Sequence, residues 1–154
     1  MEGMRGGPVV GQVSKGKLRI LGGRPALAAC SLSCPPMHGL HLTADLRGCR
    51  RAAFPDADSL RRHCLQAVAD AGLQAVGELF HRFPAPGGVT GVVLLAESHL
   101  AVHTWPELGA VTLDVYVCNQ QADHSAGALA LMAGLEALFE PQQVERHRVQ
   151  RGGG

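Results

Sequence analysis

The run Glu97-Ser98-His99-Leu100-Ala101-Val102-His103-Thr104-Trp105-Pro106-Glu107 holds two hydroxyls, two imidazoles and two carboxylates, and a thiol, Cys118, follows after the next apolar stretch. Each group has its own chemical use. A serine hydroxyl attacks an acyl carbon once a base takes its proton, and imidazole is the usual base. A thiol with an ordinary pKa of about 8.5 is mostly protonated near neutrality and can return a proton to carbon. The aromatic residues are few, 4% of the chain, yet Phe83 and Trp105 flank this run, and an aromatic pair is what a flat ring would stack on.

Other chemistries can be drawn from the same residues. A serine hydrolase would use Ser98, one of the histidines and Asp114, but the Gly-x-Ser-x-Gly elbow that exposes such a nucleophile is missing. A metal site could begin at His99 and His103, with His81 or His41 as a third ligand. Zinc pairs of that spacing carry a glutamate between them, and Leu100-Ala101-Val102 stand there instead. Cys30 and Cys34 have no matching second pair, so no metal is expected. The five cysteines (Cys30, Cys34, Cys49, Cys64 and Cys118) are an odd number without a disulfide framework, and Cys49 and Cys64 are expected as free, buried thiols. The plainest alternative leaves Ser98, His103 and Cys118 as ordinary core or edge residues.

The elements that must position these groups follow from periodicity. Leu40, Leu42, Ala44 and Leu46 alternate on one face of an expected first strand. Asp56 or Asp58 can cap a helix in which Leu60, Cys64, Ala67, Val68 and Ala71 recur at helical spacing, with Gly72 ending it. Apolar, β-branched stretches from Leu73 to Phe83, Val89 to Ala96, His99 to Trp105 and Ala110 to Cys118 read as strands. A second helix fits Asp123 to Phe139, and Val144 to Val149 a final strand. This order predicts an α+β fold: a two-layer sandwich, mainly antiparallel sheet, with two helices packed on one face. The other sheet face is left for a second subunit. On the fourth strand, Ser98 and His103 differ by an odd number and should face opposite sides unless the segment bends.

Composition narrows the class. The chain has 154 residues, 46% of them hydrophobic, enough for one domain with a real core. With 14 Lys+Arg against 13 Asp+Glu, nothing points to a nucleic-acid or anionic-membrane partner. No apolar run has the length of a membrane span, and a cytoplasmic protein is expected. Residues 1–37 read as a flexible N-terminal extension, 38–151 as the domain and 152–154 as a tail.

Leu42-Thr43-Ala44-Asp45-Leu46, Phe80-His81-Arg82-Phe83, Val89-Thr90-Gly91-Val92-Val93, the Glu97 to Glu107 run and Asp114-x-x-x-Cys118 together resemble the short prokaryotic S-adenosylmethionine decarboxylases. The resemblance spans Gly39 to about Arg151. Met37 stands where family members usually begin, so a mis-called start is the alternative reading of the extension.

The resemblance implies a two-stage mechanism. Ser98 attacks the carbonyl of Glu97, turning the amide into an ester. His103 removes the Cα proton of Ser98, and elimination leaves a β chain ending at Glu97. Ser98 becomes a pyruvoyl group at the head of the α chain, with Thr90 supporting the processing. The pyruvoyl carbonyl then forms a Schiff base with the substrate amine, doing the work of pyridoxal phosphate without that cofactor and without metal. Cys118 corresponds to the proton donor, and Phe83, Trp105 and Glu107 to substrate-binding residues. The implied product is decarboxylated S-adenosylmethionine for spermidine synthesis, made by a homodimer of processed αβ protomers.

The chain departs from the family pattern at several places. Tyr116-Val117 stand where Phe-Thr is common, Asn119 replaces a glycine, Ala96 replaces a serine, and Pro84 to Gly88 carries an extra residue. These changes spare the processing residues and are expected on the pocket side. They keep ornithine or arginine open as alternative substrates. An unprocessed regulatory subunit is the alternative of another class.

Overall fold

The computed structural model describes residues 38–50, 53–85 and 87–152. The expectations for residues 1–37, including Cys30 and Cys34, lie outside them. The chain runs β1 (Gly39–Arg47), α1 (Ala57–Asp70), β2 (Ala75–Arg82), β3 (Val89–Leu95), β4 (Ser98–Trp105), β5 (Ala110–Cys118), α2 (Ser125–Phe139) and β6 (Gln143–Arg151). The strands form one sheet ordered β2-β3-β4-β5-β1-β6, with every neighbouring pair antiparallel. α1 packs over β2 and β3, α2 over β5 and β1, and the helices touch each other. The two-layer α+β architecture read from the pattern is the one observed.

One face of the sheet is dry. Leu40, Leu42, Ala44 and Leu46 of β1, Leu100 and Val102 of β4, and Val111, Leu113, Val115 and Val117 of β5 are all buried beneath the helices. α1 contributes Leu60, Cys64 and Val68 to this layer, and α2 contributes Leu131, Met132, Leu135 and Phe139. Each large aliphatic side chain removed from water here stabilises the fold by roughly 1.5–3 kcal/mol. Cys49 and Cys64 are buried free thiols, and burial pushes the Cys64 pKa up to about 12.

Local chemistry sets the ends of the helices. Asp56 caps α1 by accepting from the backbone N–H of Ser59 at 2.8 Å, and Gly72, at φ 70°, reverses the chain after it. α2 begins two residues later than its apolar pattern suggests, because the Asp123 carboxylate accepts from the N–H of Ser125 and holds a turn there. Those hydrogen bonds to Ser125 lower the Asp123 pKa. At its other end α2 is tied to β6 by a bidentate contact between Glu136 and Arg146. None of the described helices is long and apolar enough to cross a membrane.

Candidate active site

β4 organises the site. Leu100, Val102 and Thr104 face the helices, so His99, Ala101, His103 and Trp105 face the open side of the sheet. Thr90 and His103 are cross-strand partners, as are Ala101 and Asp114 and His99 and Tyr116. The open face therefore carries two separate groups of polar residues, one at each end of β4.

The first group forms a cleft of about 250 Å³ lined by Phe83, Gly87, Gly88, Thr90, His103, Thr104, Trp105 and Glu107. His103 Nδ1 lies 3.0 Å from Thr90 Oγ1, and the Trp105 ring lies 6.2 Å from the imidazole, tilted by 33°. Phe83 is braced edge-on by His81 at 4.8 Å, which occupies His81 in packing. Phe83 and Trp105 are 46% and 37% exposed, so both rings offer free surface. The Phe83 loop closes through an N–H from Phe83 to the carbonyl of Gly88, and Gly88 lies against the backbone of Thr104. An added Cβ at Gly88 would sit 1.7 Å from the Thr104 carbonyl oxygen, so only glycine allows this approach.

The second group surrounds the peptide between Glu97 and Ser98, at the turn joining β3 to β4. Ser98 has φ 147°, a backbone region that a residue with a Cβ rarely adopts and that costs about 1–3 kcal/mol. The bend resolves the parity problem: Ser98 is half-buried, and its Oγ lies 3.4 Å from His99 Nδ1, an open-face residue. The carbonyl oxygen of Glu97 accepts the backbone N–H of Cys118 at 2.8 Å. That donor is aimed where negative charge would develop if Ser98 attacked the Glu97 carbonyl. His99 Nε2 lies 3.3 Å and His41 Nε2 2.8 Å from the same oxygen of Asp114, and Arg151 reaches His41 Nδ1 at 3.2 Å.

Of the residues singled out from sequence, Phe83, Thr90, His103, Trp105 and Glu107 are brought together in the first group, and Glu97, Ser98 and Cys118 in the second. Ser98 and His103 of one chain do not meet. Five strand residues at about 3.3 Å each separate them by roughly 16 Å. The same arithmetic, four residues and about 13 Å, leaves His99 and His103 no common metal ion. Among the described residues no group of three or more His, Cys, Asp and Glu side chains is spaced to hold a metal. The serine, histidine and aspartate weighed as a hydrolase do stand in a row, as Ser98, His99 and Asp114.

His41 was weighed from sequence only as a metal ligand, and Arg151 was not singled out at all. Their contribution depends on β1 pairing with both β5 and β6, which alternation within one strand does not reveal. The departures from the family pattern also fall differently from expectation. Val117 points into the core with no exposed surface, and Asn119 spends its side chain on the start of α2, bonding His124 N and Ser125 Oγ. Tyr116 does face the site, its ring tilted against His41 and His99 at 5.6 and 5.9 Å, and the longer Pro84–Gly88 loop brings Gly87 and Gly88 to the first cleft.

Fold and site together define a two-layer α+β protein with a strained serine peptide on the open face of its sheet. The family model described as S-adenosylmethionine decarboxylase matches residues 40–152. The S-adenosylmethionine decarboxylase proenzyme of Pyrococcus abyssi is 42% identical over 114 residues, covering 74% of this chain and 78% of the relative. The proenzyme of the same name from Methanococcus vannielii is 40% identical over 114 residues, covering 74% and 89%. The crystal structure of the adenosylmethionine decarboxylase from Aquifex aeolicus superposes with a TM-score of 0.69 at 35% identity, over 77% of this chain and 93% of that one. This chain belongs to the S-adenosylmethionine decarboxylase family.

Proposed function

We propose that this chain cuts its own backbone between Glu97 and Ser98, converts Ser98 to a pyruvoyl group, and decarboxylates S-adenosylmethionine to the aminopropyl donor of spermidine synthesis. The observation that carries the reading is the Glu97-Ser98 peptide itself. Its serine is held at positive φ while its carbonyl accepts the Cys118 N–H, which is the arrangement an acyl shift needs. The pyruvoyl carbonyl supplies an electron sink for the bond to the departing carboxylate. Cys118, half-buried beside the Ser98 turn on the open face, returns a proton to the substrate carbon. Phe83 and Trp105 stack the adenine, and Glu107 accepts from the ribose hydroxyls.

The separation of Ser98 from His103 supports a face-to-face homodimer. Stacked sheets lie about 10 Å apart. A dyad crossing the strands at the level of Ala101 sets the Ser98 end of one copy opposite the His103 end of the other, building two composite sites. The open face also exposes Leu79 at 71% and Leu94 at 50%, apolar surface that a second copy would cover.

Carbon dioxide release from purified protein, measured with S-adenosylmethionine, ornithine and arginine in parallel, tests the substrate. Release from S-adenosylmethionine alone is expected. Release from ornithine or arginine instead would overturn the substrate while leaving self-processing intact.

A further inference from the structure

Ser98, His99, Asp114, His41 and Arg151 stand in one continuous row of polar contacts. The Asp114 carboxylate can only accept, so His41 donates to its Oδ1 from Nε2 at 2.8 Å, while His99 Nε2 approaches the same oxygen as an ion-pair contact at 3.3 Å. With Nε2 turned toward Asp114, the ring presents Nδ1 to the Ser98 hydroxyl, 3.4 Å away. Arg151 donates to His41 Nδ1 at 3.2 Å. Arg151 also lies over the Tyr116 ring, 5.4 Å from its centroid, and that ring packs on both imidazoles. Five residues from β1, β4, β5 and β6 thus hold one basic nitrogen against one hydroxyl.

We infer that His99, oriented by Asp114, is the general base that takes the Ser98 hydroxyl proton in the acyl shift opening self-cleavage and hands it to the departing amide nitrogen. The inference rests on the self-processing reading above and names the base for its first step. As the Oγ proton passes to His99 Nδ1, an Oγ–C bond forms to the Glu97 carbonyl carbon. The carbonyl π pair moves onto the oxygen already held by the Cys118 N–H. When that oxygen re-forms its double bond, the C–N bond breaks and the nitrogen takes the proton from His99. An amide becomes an ester and an amine, with no water or outside proton used. His103, beside Thr90 at the far end of β4, is left for the later proton abstraction at Cα. Asp114 and His41 are positioning residues, acting through His99. The ionisable groups in contact with His99 are Asp114 and Tyr116 from β5 and His41 from β1.

The test isolates the first step. In full-length His103→Ala protein made by cell-free synthesis, processing should stop at the ester, which hydroxylamine cleaves between residues 97 and 98. Adding His99→Asn should slow accumulation of this hydroxylamine-labile species at least tenfold. It should also change the pH profile of that step. In His99→Gly, free imidazole should restore the rate. Asp114→Asn, which keeps the shape and drops the charge, should slow the same step with His99 present, so the idea stays testable if a His99 variant fails to fold. Ester formation in His99→Asn at the parent rate, with the parent pH profile, overturns the inference even though the wild-type chain cuts itself. A wild-type chain that never cuts, with no labile ester in His103→Ala, overturns the self-processing reading as well.

Discussion

The backbone N–H of Cys118 donates to the carbonyl oxygen of Glu97 at 2.8 Å, joining the expected proton donor to the expected scission point through main-chain atoms. The contact lies beside the cross-strand pair of Ser98 and Val117, so the β4–β5 ladder itself aims it. A side-chain change at 118 leaves it intact. Processing and turnover should therefore separate: Cys118→Ala should still yield two fragments by intact-mass measurement, while carbon dioxide release falls about 100-fold or more. Loss of cutting in this variant would mean that the thiol, not the backbone, serves the first stage.

Ser98 supplies both the attacking oxygen and the strained backbone. Ser98→Ala removes the oxygen and should remain a single full-length species after prolonged incubation. Ser98→Thr keeps the hydroxyl but adds a β-branch at φ 147°, where bulky residues are disfavoured. It should cut more slowly than the wild type, by an estimated tenfold or more. Equal rates for serine and threonine would show that the backbone at 98 is not strained.

Gly88 holds the Phe83 loop against Thr104 at a distance no Cβ tolerates. Gly88→Ala must push the loop away from β4. The expected cost is about 1–3 kcal/mol, seen as a lower Tm. The Phe83 ring moves with the loop, so KM for the substrate should rise more than kcat falls. Unchanged KM would detach Phe83 from substrate binding.

Much of this was legible from residue order because burial has a period. The alternation of Leu40, Leu42, Ala44 and Leu46 and the stripe through Leu131, Leu135 and Phe139 state directly which surfaces leave water. The cleft of Phe83, Thr90, His103, Trp105 and Glu107 was foreshadowed by a motif, since these residues lie on neighbouring elements with short connections. What stayed hidden depends on register and dihedral angles. No pattern within β1 or β6 says that His41 will stand beside Asp114, or Arg151 beside His41. Nor does the letter at 98 say that φ is positive there. Val117 and Asn119 looked like pocket residues because they flank Cys118. Strand alternation turns Val117 into the core, and the start of α2 claims Asn119.

Cys64 gives a stability signature that can be read against pH. Its folded pKa, about 12, lies above the ordinary 9.0 because burial penalises the thiolate. The unfolded chain loses this proton first. The contribution is thus complete below the ordinary value and is lost as pH rises toward the folded one, at about 1.4 kcal/mol per pH unit. Urea midpoints measured from neutral to strongly alkaline pH should fall more steeply for the wild type than for Cys64→Val. Parallel slopes would show that Cys64 ionises as easily in the folded protein as in the unfolded one.

The distance between Ser98 and His103 along β4 leads to the most discriminating prediction. If each working site takes Ser98 and Cys118 from one copy and Thr90 and His103 from another, a defect in each half should complement. Ser98→Ala alone lacks the oxygen in both sites of its dimer, and His103→Ala alone lacks the imidazole in both. A mixed dimer has one site missing both groups and one site missing neither. Co-expression of the two variants should therefore restore cutting of the His103→Ala chain and a substantial fraction of decarboxylation, while each variant alone shows neither. Tags on the two chains allow the mixed species to be purified and its fragments weighed. A mixed dimer as inert as its parents would mean that Ser98 and His103 must belong to the same chain. In that case β4 would have to move by more than a side-chain rotation to bring them together.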